Sequence, residues 1–414
     1  MAKLNRLTLA GALAATTIIA GTPALAQEDS VLVGHLADYT GATSFVGKQY
    51  GPGVSDAFKE INADGGIDGT TVNLDTVDYA YKVPEAITQF KKWVGNDMVA
   101  LQGWGTADTE ALISFVARAE IPTISGSYSA HLTDPQGKNP NTKAPAPYNF
   151  FYGPSYSDAC RALVQWASED AKEKGIENPT FVHTGDNHPY PNAPKEACAA
   201  YATELGFTVA PPVVVPLAPG DFKAQCLTIK DSGAQYVYMG NLGGSVVSLI
   251  KSCNTVGVEA TYMGNPWAGD YQTVEAAEAQ NLIFPSSTPF YGADVPGMAL
   301  VKKILENGGG QVGDRPTHHY LRGICSAYYM KEAMQWAKAN GGITGPNIRD
   351  GMYQKKDWVP AGLEGVCSPS TWTPEDHRGL LKVTINSGSF TDGKAVIKEI
   401  AEIDVPRREE WLGQ

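Results

Sequence analysis

The sequence predicts an α/β protein built as two doubly wound lobes. Three observations carry this expectation. Short apolar runs alternate with amphipathic helical stretches, the alternation restarts after a proline-rich interval at residues 134–147, and 43% of the residues are hydrophobic, enough for ordinary cores. The length suggests two to three domains.

The first run of elements begins with "VLVGHLA" (31–37), a short apolar stretch suited to a buried strand and followed by a glycine-containing loop. "GPGVSDAFKEINADGG" (51–66) puts Val54, Ala57, Phe58 and Ile61 at helical spacing and stops at a glycine pair. "TVNLDTVDY" (71–79) is a second strand, and "VPEAITQFKKWVGND" (83–97) is an amphipathic helix with Ala86, Phe90 and Val94 on one face. "MVALQGWG" (98–105), a helix near 109–119 and "IPTISGS" (121–127) continue the rhythm of a parallel sheet flanked by helices. The second run follows with a helix at 158–172, strand 179–185, helix 193–205 and strand 207–215. Helix 221–231, strand 234–240, helix 245–256 and strand 260–266 complete it. In such sheets ligands bind beyond the carboxyl ends of the strands, and two lobes make of this a cleft.

The amino-terminal residues place the protein. Lys3 and Arg6 precede an apolar stretch at 7–21, and "ALA" (24–26) supplies small residues of a cleavage site before Gln27. Residues 1–26 therefore read as a cleavable secretory signal, and the absence of a cysteine after it argues against a lipid anchor, so the expected location is the periplasm. The chain carries a formal net charge of −12, and losing the basic leader leaves it more acidic still. That balance excludes nucleic acid and anionic lipid as natural partners, because both draw on clustered Lys and Arg.

Cys160, Cys198, Cys226, Cys253, Cys325 and Cys367 all lie in the exported part, where an even number favours disulfides. The sequence does not itself choose among the possible connectivities. Sequential pairing is expected on topological grounds. The helices bearing Cys160 and Cys198 would share one sheet face, those bearing Cys226 and Cys253 the other, and Cys325 would be left for Cys367.

"GATSFVGKQ" (41–49) nearly spells a phosphate-cradling loop. One residue too many separates Gly41 from Gly47, and Gln49 stands where a magnesium-binding hydroxyl belongs. The same residues fit another pattern. "GHLADYTGATSFVGKQYGPGVSDAFKEINADGGIDG" (34–69), "IPTISGSYSAHLT" (121–133) and "GDFKAQCLTIKDSGAQYVYMGN" (220–241) stand in order across the chain. In these segments it resembles the leucine/isoleucine/valine-binding proteins, periplasmic solute receptors of branched-chain amino acid ABC transporters with the type I periplasmic binding protein fold. The resemblance implies a three-segment hinge, with crossings near residues 151–154, 282–286 and 358–364. Lobe 1 would comprise 27–151 plus 285–360, and lobe 2 would comprise 152–284 plus 361–414. It also implies a small-molecule solute bound by hinge closure, ABC permease subunits at the inner membrane as partners, a monomeric state and no cofactor.

The same resemblance implies a set of ligand-binding residues. A carboxylate-binding hydroxyl falls on Thr106, beside Trp104, and the next loop contributes Ser127, Tyr128 and Ser129. Backbone N–H groups and hydroxyls at helix starts suit an anion, although Thr106 equally suits the role of a helix cap. Tyr190 takes the place of an aromatic wall from lobe 2, and Phe45 or Val46 and Tyr81 would add to the site from lobe 1. One departure bears on the solute. Pro266 stands where amino acid receptors of this family carry the glutamate that pairs with the ligand's ammonium, with Asn265 and Trp267 beside it, and Leu242 replaces another aromatic next to Asn241. An ammonium would lack its partner unless Asp108, Asp270 or another acid reached in. Trp267 offers a flat apolar or cation–π surface, or it packs as a hinge-side core residue. A carboxylate with an apolar or aromatic body, or a small amide, suits these positions at least as well as an α-amino acid.

No nucleophile elbow is present. His318 and His319 are adjacent rather than at metal-binding helical spacing, and are expected at a helix start or on its surface. "TPEDHRG" (373–379) has no expected catalytic role. The sequence thus points to a receptor and not an enzyme, one serving an importer or, alternatively, sensing a small amide or aromatic acid for signalling.

Overall fold

The computed structural model describes residues 1–2 and 29–414. The expected signal segment and its cleavage point lie outside the described residues. The first sheet is fed by β1 (Ser30–Ala37), α1 (Ser44–Ala63), β2 (Thr71–Asp78), α2 (Val83–Val94), β3 (Met98–Gly103), α3 (Thr106–Ala119), β4 (Thr123–Ser125) and β5 (Asn149–Phe150). Its strands are all parallel in the order β2-β1-β3-β4-β5. The order reverses between β1 and β3, so the loops leaving those two strands flank a crevice at their carboxyl ends.

The chain then passes to a second sheet through α4 (Tyr156–Glu173), β6 (Thr180–Gly185), α5 (Pro189–Asn192), α6 (Lys195–Glu204), β7 (Thr208–Val209), β8 (Val213–Val214), α7 (Lys223–Asp231), β9 (Tyr236–Met239), α8 (Gly243–Val256), β10 (Thr261–Gly264), α9 (Tyr271–Ala277) and β11 (Leu282–Ser286). It returns to the first body as α10 (Met298–Gly308), α11 (His318–Ala339) and α12 (Gly345–Met352), and ends in a hairpin of β12 (Lys382–Thr391) and β13 (Lys394–Asp404). The second sheet runs β13-β12-β11-β10-β9-β6-β7, with β8 also on β6. Strand β12 pairs antiparallel with both β13 and β11, while the remaining pairs are parallel. A separate apolar core lies on each face of this sheet.

Several elements differ from the sequence reading. Helix α1 starts at Ser44, earlier than the expected loop allowed, and runs through Pro52. A proline there forfeits one backbone hydrogen bond. The helix gains close packing in return, because α1 and α11 cross at two glycines. A Cβ on Gly53 would meet the Tyr320 carbonyl oxygen at 2.2 Å, and one on Gly323 would meet that of Tyr50 at 2.2 Å. The single strand expected over 207–215 is two short pieces, since Pro211 and Pro212 interrupt the ladder. His318 and His319 do open a helix, but both are fully buried rather than on the surface.

Cys160 is bonded to Cys198, Cys226 to Cys253 and Cys325 to Cys367. The first two bridges tie α4 to α6 and α7 to α8 on opposite sheet faces. The third holds the segment after α12 against α11, and Trp372 of that segment donates to the Phe151 carbonyl at 3.2 Å. Residues 361–380 therefore pack with the first body, and the chain rejoins the second sheet near β12, later than the crossing expected at 358–364.

Candidate binding site between the two sheets

The site grows from the strand ends. After β1, the Asp38 carboxylate accepts hydrogen bonds from Gly41 N (2.5 Å), Thr43 N (2.9 Å) and the Thr43 hydroxyl (2.6 Å), folding the loop that starts α1. Trp104, after β3, donates its indole N–H to Thr43 Oγ1 at 2.8 Å, which fixes the ring between these two loops. After β2 the backbone turns left-handed at Ala80 (φ 51°) and Tyr81 (φ 58°). This costs energy in a non-glycine residue and throws the Tyr81 ring over Gly105, where a Cβ would meet it at 2.1 Å. Gly105 is thus the only residue type that fits beneath the ring.

Thr106 opens α3, and its hydroxyl accepts from Ser127 Oγ at 3.0 Å. Gly126 lets Trp104 approach and gives its carbonyl to the Tyr156 hydroxyl at 3.2 Å. From the second sheet, Asn265 donates its amide to the carbonyls of Met239, Gly240 and Asn241 and accepts from Trp267 N and the Tyr190 hydroxyl, both at 2.8 Å. One buried side chain therefore aims both Trp267 and Tyr190 at the first body.

The two bodies meet in an aromatic seam centred on Trp267. Its ring lies 5.2 Å from Trp104, 5.2 Å from Tyr128, 5.7 Å from Tyr50 and 5.3 Å from His319. Its indole N–H donates to the Tyr156 hydroxyl at 3.0 Å. Tyr190 packs on Tyr156 at 5.5 Å, and Tyr81 reaches His188 at 5.3 Å. Thr43, Tyr81, Trp104, Thr106, Tyr190, Trp267 and their neighbours enclose a cavity of about 10 Å³, room for one water-sized sphere. Any larger guest requires the bodies to part.

Five of the residues expected at the site line this cavity: Tyr81, Trp104, Thr106, Tyr190 and Trp267. Ser127 stands behind Thr106, and Tyr128 stacks behind Trp267 against Phe151. Phe45 crosses the gap to lie over Gly243. Ser129 is spent elsewhere, donating to Glu110 Oε1 at 2.7 Å while capping the short helix Ala130–Leu132. Asn241 and Asn265 are scaffold residues. The Asn241 amide donates to the Val215 and Pro216 carbonyls, and its oxygen accepts from Asp186 N. Two acids considered as ammonium partners are occupied. Asp108 accepts from the Tyr79 hydroxyl at 2.8 Å, and Asp270 caps α9 through Thr273 N and faces His319 Nε2 at 3.1 Å. Burial raises the Asp108 carboxyl to about 7 against the opposing Tyr79 hydrogen bond, and burial lowers both His318 and His319, which keeps these imidazoles neutral.

Sequence reasoning missed Thr43, Tyr50, Tyr156 and Arg322. Only Tyr156 left a trace, as the first helical residue after a Ser155 cap at the expected crossing. Among the described residues no cluster of His, Cys, Asp and Glu is arranged to hold a metal ion.

A family model described as "Periplasmic binding protein" matches residues 30–388. A Pseudomonas aeruginosa protein named "Amino acid binding protein" is 25% identical over 336 residues, 80% of this chain and 84% of the relative. Among solved structures, an ABC transporter substrate-binding protein from Aeropyrum pernix aligns with TM-score 0.79 at 24% identity, covering 93% of this chain and 98% of its own. A branched-chain amino acid ABC transporter protein from Thermus thermophilus, solved with bound valine, aligns with TM-score 0.78 at 22% identity, covering 91% and 96%.

Proposed function

The chain belongs to the periplasmic binding protein family, whose members are solute receptors rather than enzymes, and on that footing we propose that it is the extracytoplasmic solute-binding receptor of an ABC importer. The observation that carries this reading is the Trp267 seam. An aromatic surface from the second body closes on the start of α3 in the first, over a cavity bounded by both. The Thr106 hydroxyl at the start of α3 offers a donor to a carboxylate or amide oxygen, while Trp104, Trp267 and Tyr190 offer faces to a planar or apolar body. The solute enters when the bodies part about the hinge segments and is enclosed when they close. The closed form is what the permease reads. The leader at residues 1–26 is the export signal for this role, and lobe 1 is residues 27–151 plus 285–360.

Thermal-shift titration of the exported chain against amino acids, amides and aromatic acids tests this reading. A true solute raises the melting temperature with concentration, by about 2.7 kcal/mol of added stability at a hundred times Kd. Thr106→Ala weakens that hit about tenfold. If Thr106→Ala and Tyr190→Ala both leave affinity unchanged, the site is elsewhere. The sensing alternative has the same cleft and is distinguished by the partner. Uptake of the labelled hit that depends on this chain supports import, and binding without uptake supports sensing.

A further inference from the structure

Arg322, in the second turn of α11, reaches from the first body to the second. Its side chain is fully buried. Nη1 donates to the Pro266 carbonyl, and the guanidinium lies over the Trp267 ring with its centre 4.7 Å from the ring centroid. Its other edge is unused. Nε and Nη2, the two donors that together form the side-on fork of a guanidinium, find no acceptor among the described residues. No carboxylate of a described residue lies within ion-pair distance of it. The comparably buried Arg161 shows what is missing, since it pairs with Asp158 at 2.8 Å. A buried charge without a counter-ion is expensive.

The surroundings repeat the pattern. The hydroxyls of Tyr50, Tyr128 and Tyr152 and of Ser287 are buried and meet mainly one another: Tyr128 lies beside Tyr152 and Ser287, and Tyr50 beside Ser326, with none in a well-formed hydrogen bond. The three phenols are close enough for the Arg322 charge to oppose the rise that burial imposes on each of them. Weakly held buried hydroxyls and half a guanidinium without an acceptor therefore converge behind Trp267. Trp267 comes from the second body, so opening the cleft withdraws it and uncovers this group from the side where a solute enters.

We propose that Arg322 is a ligand-binding residue and that the solute is an organic acid, one carboxylate of which docks bidentate on the Nε/Nη2 edge of Arg322 with the neighbouring phenols as further donors. The proposal rests on the receptor reading and narrows its solute class. A planar carboxylate matches the free fork. The cation disfavours an ammonium at the same end, so simple amines and amino alcohols are excluded there.

The test pairs acids with neutral twins of the same body: benzoate with benzamide, glutarate with glutaramide, 4-methylpentanoate with its amide. Affinities are measured on the wild type, Arg322→Met and Arg322→Lys, together with the melting temperature of each unliganded chain. At least one acid should bind ten times or more tighter than its twin. Arg322→Met should erase that ratio, weakening the acid far more than its twin, and Arg322→Lys should restore part of it. Unliganded Arg322→Met should melt at or above the wild type, because a lone buried charge is gone. Neutral twins binding as well as acids, or an acid preference that survives Arg322→Met, would overturn the proposal while leaving a receptor in place. If no compound binds, the receptor reading fails for these solute classes, and the unliganded melting decides the role of Arg322. A clear drop in Arg322→Met would make it a structural latch satisfied by water.

Discussion

At the scale of single residues, what the sequence made legible were side chains placed by strand ends. Trp104 and Thr106 follow β3 closely and Tyr190 lies in the short α5 after β6, and it is the resemblance to a known family that marks them as site residues. Arg322, Tyr50 and Asn265 owe their roles to residues far off in the chain. Nothing local to "HHYLRG" announces that its arginine will be buried under a tryptophan of the other body. Asp108 illustrates a residue whose environment reverses the expectation drawn from it. It opens the second residue pair of α3 yet turns to Tyr79 behind Gly105, and burial raises it from 3.8 to about 7. The unfolded chain ionises near the lower value and the native protein near the higher. Between them the native state binds the extra proton, so stability falls as pH rises through this window and levels off above about 7. At roughly 1.4 kcal/mol per unit the burden at pH 8 is a few kcal/mol. Asp108→Asn keeps an acceptor for Tyr79 and removes the charge. Chemical denaturation should find it more stable than the wild type at pH 8, with the difference vanishing near pH 4; equal gaps at both pH values would refute the argument.

At the scale of elements, regular amphipathic segments such as α2 were legible, and elements that depend on partners were not. The β12 and β13 hairpin escaped the sequence reading even though "TDGK" supplies a two-residue turn, with Asp392 at φ 51° and Gly393 at φ 79°. Its strands alternate weakly, since much of β13 is solvent-facing. Helix α11 has its buried residues on all sides, so no amphipathic stripe marks it. What locks α11 to α1 is backbone proximity at Gly53 and Gly323 rather than a large side chain. Gly323→Ala should therefore force the helices apart, costing about 2–3 kcal/mol by overpacking. Thermal unfolding would report this as a loss of several degrees, and an unchanged transition would show that the crossing yields more easily than the 2.2 Å contact implies.

At the scale of the whole molecule, two doubly wound sheets with a shared crevice were readable from the repeated rhythm, whereas how tightly the halves close was not. Closure depends on complementary surfaces contributed by distant loops: Trp267 on Trp104, Tyr81 on His188, Phe45 on Gly243. A seam this complete with only about 10 Å³ enclosed places a cost on ligand entry, since affinity is reduced by the fraction of molecules able to admit a guest. Gly243 gives a handle on that balance. A Cβ there would meet the Phe45 ring at 2.1 Å, and the residue's φ of 25° is itself awkward for a side chain. Gly243→Ala is a wedge at the rim of the seam that leaves both cores untouched. Solution scattering should give a larger radius of gyration for Gly243→Ala than for the wild type, and a saturating solute should shrink it less. Trimming the opposing ring in Phe45→Ala/Gly243→Ala should restore the compact value. If the double variant stays expanded, the obstruction is backbone strain in α8 rather than contact across the gap, and closure is governed elsewhere.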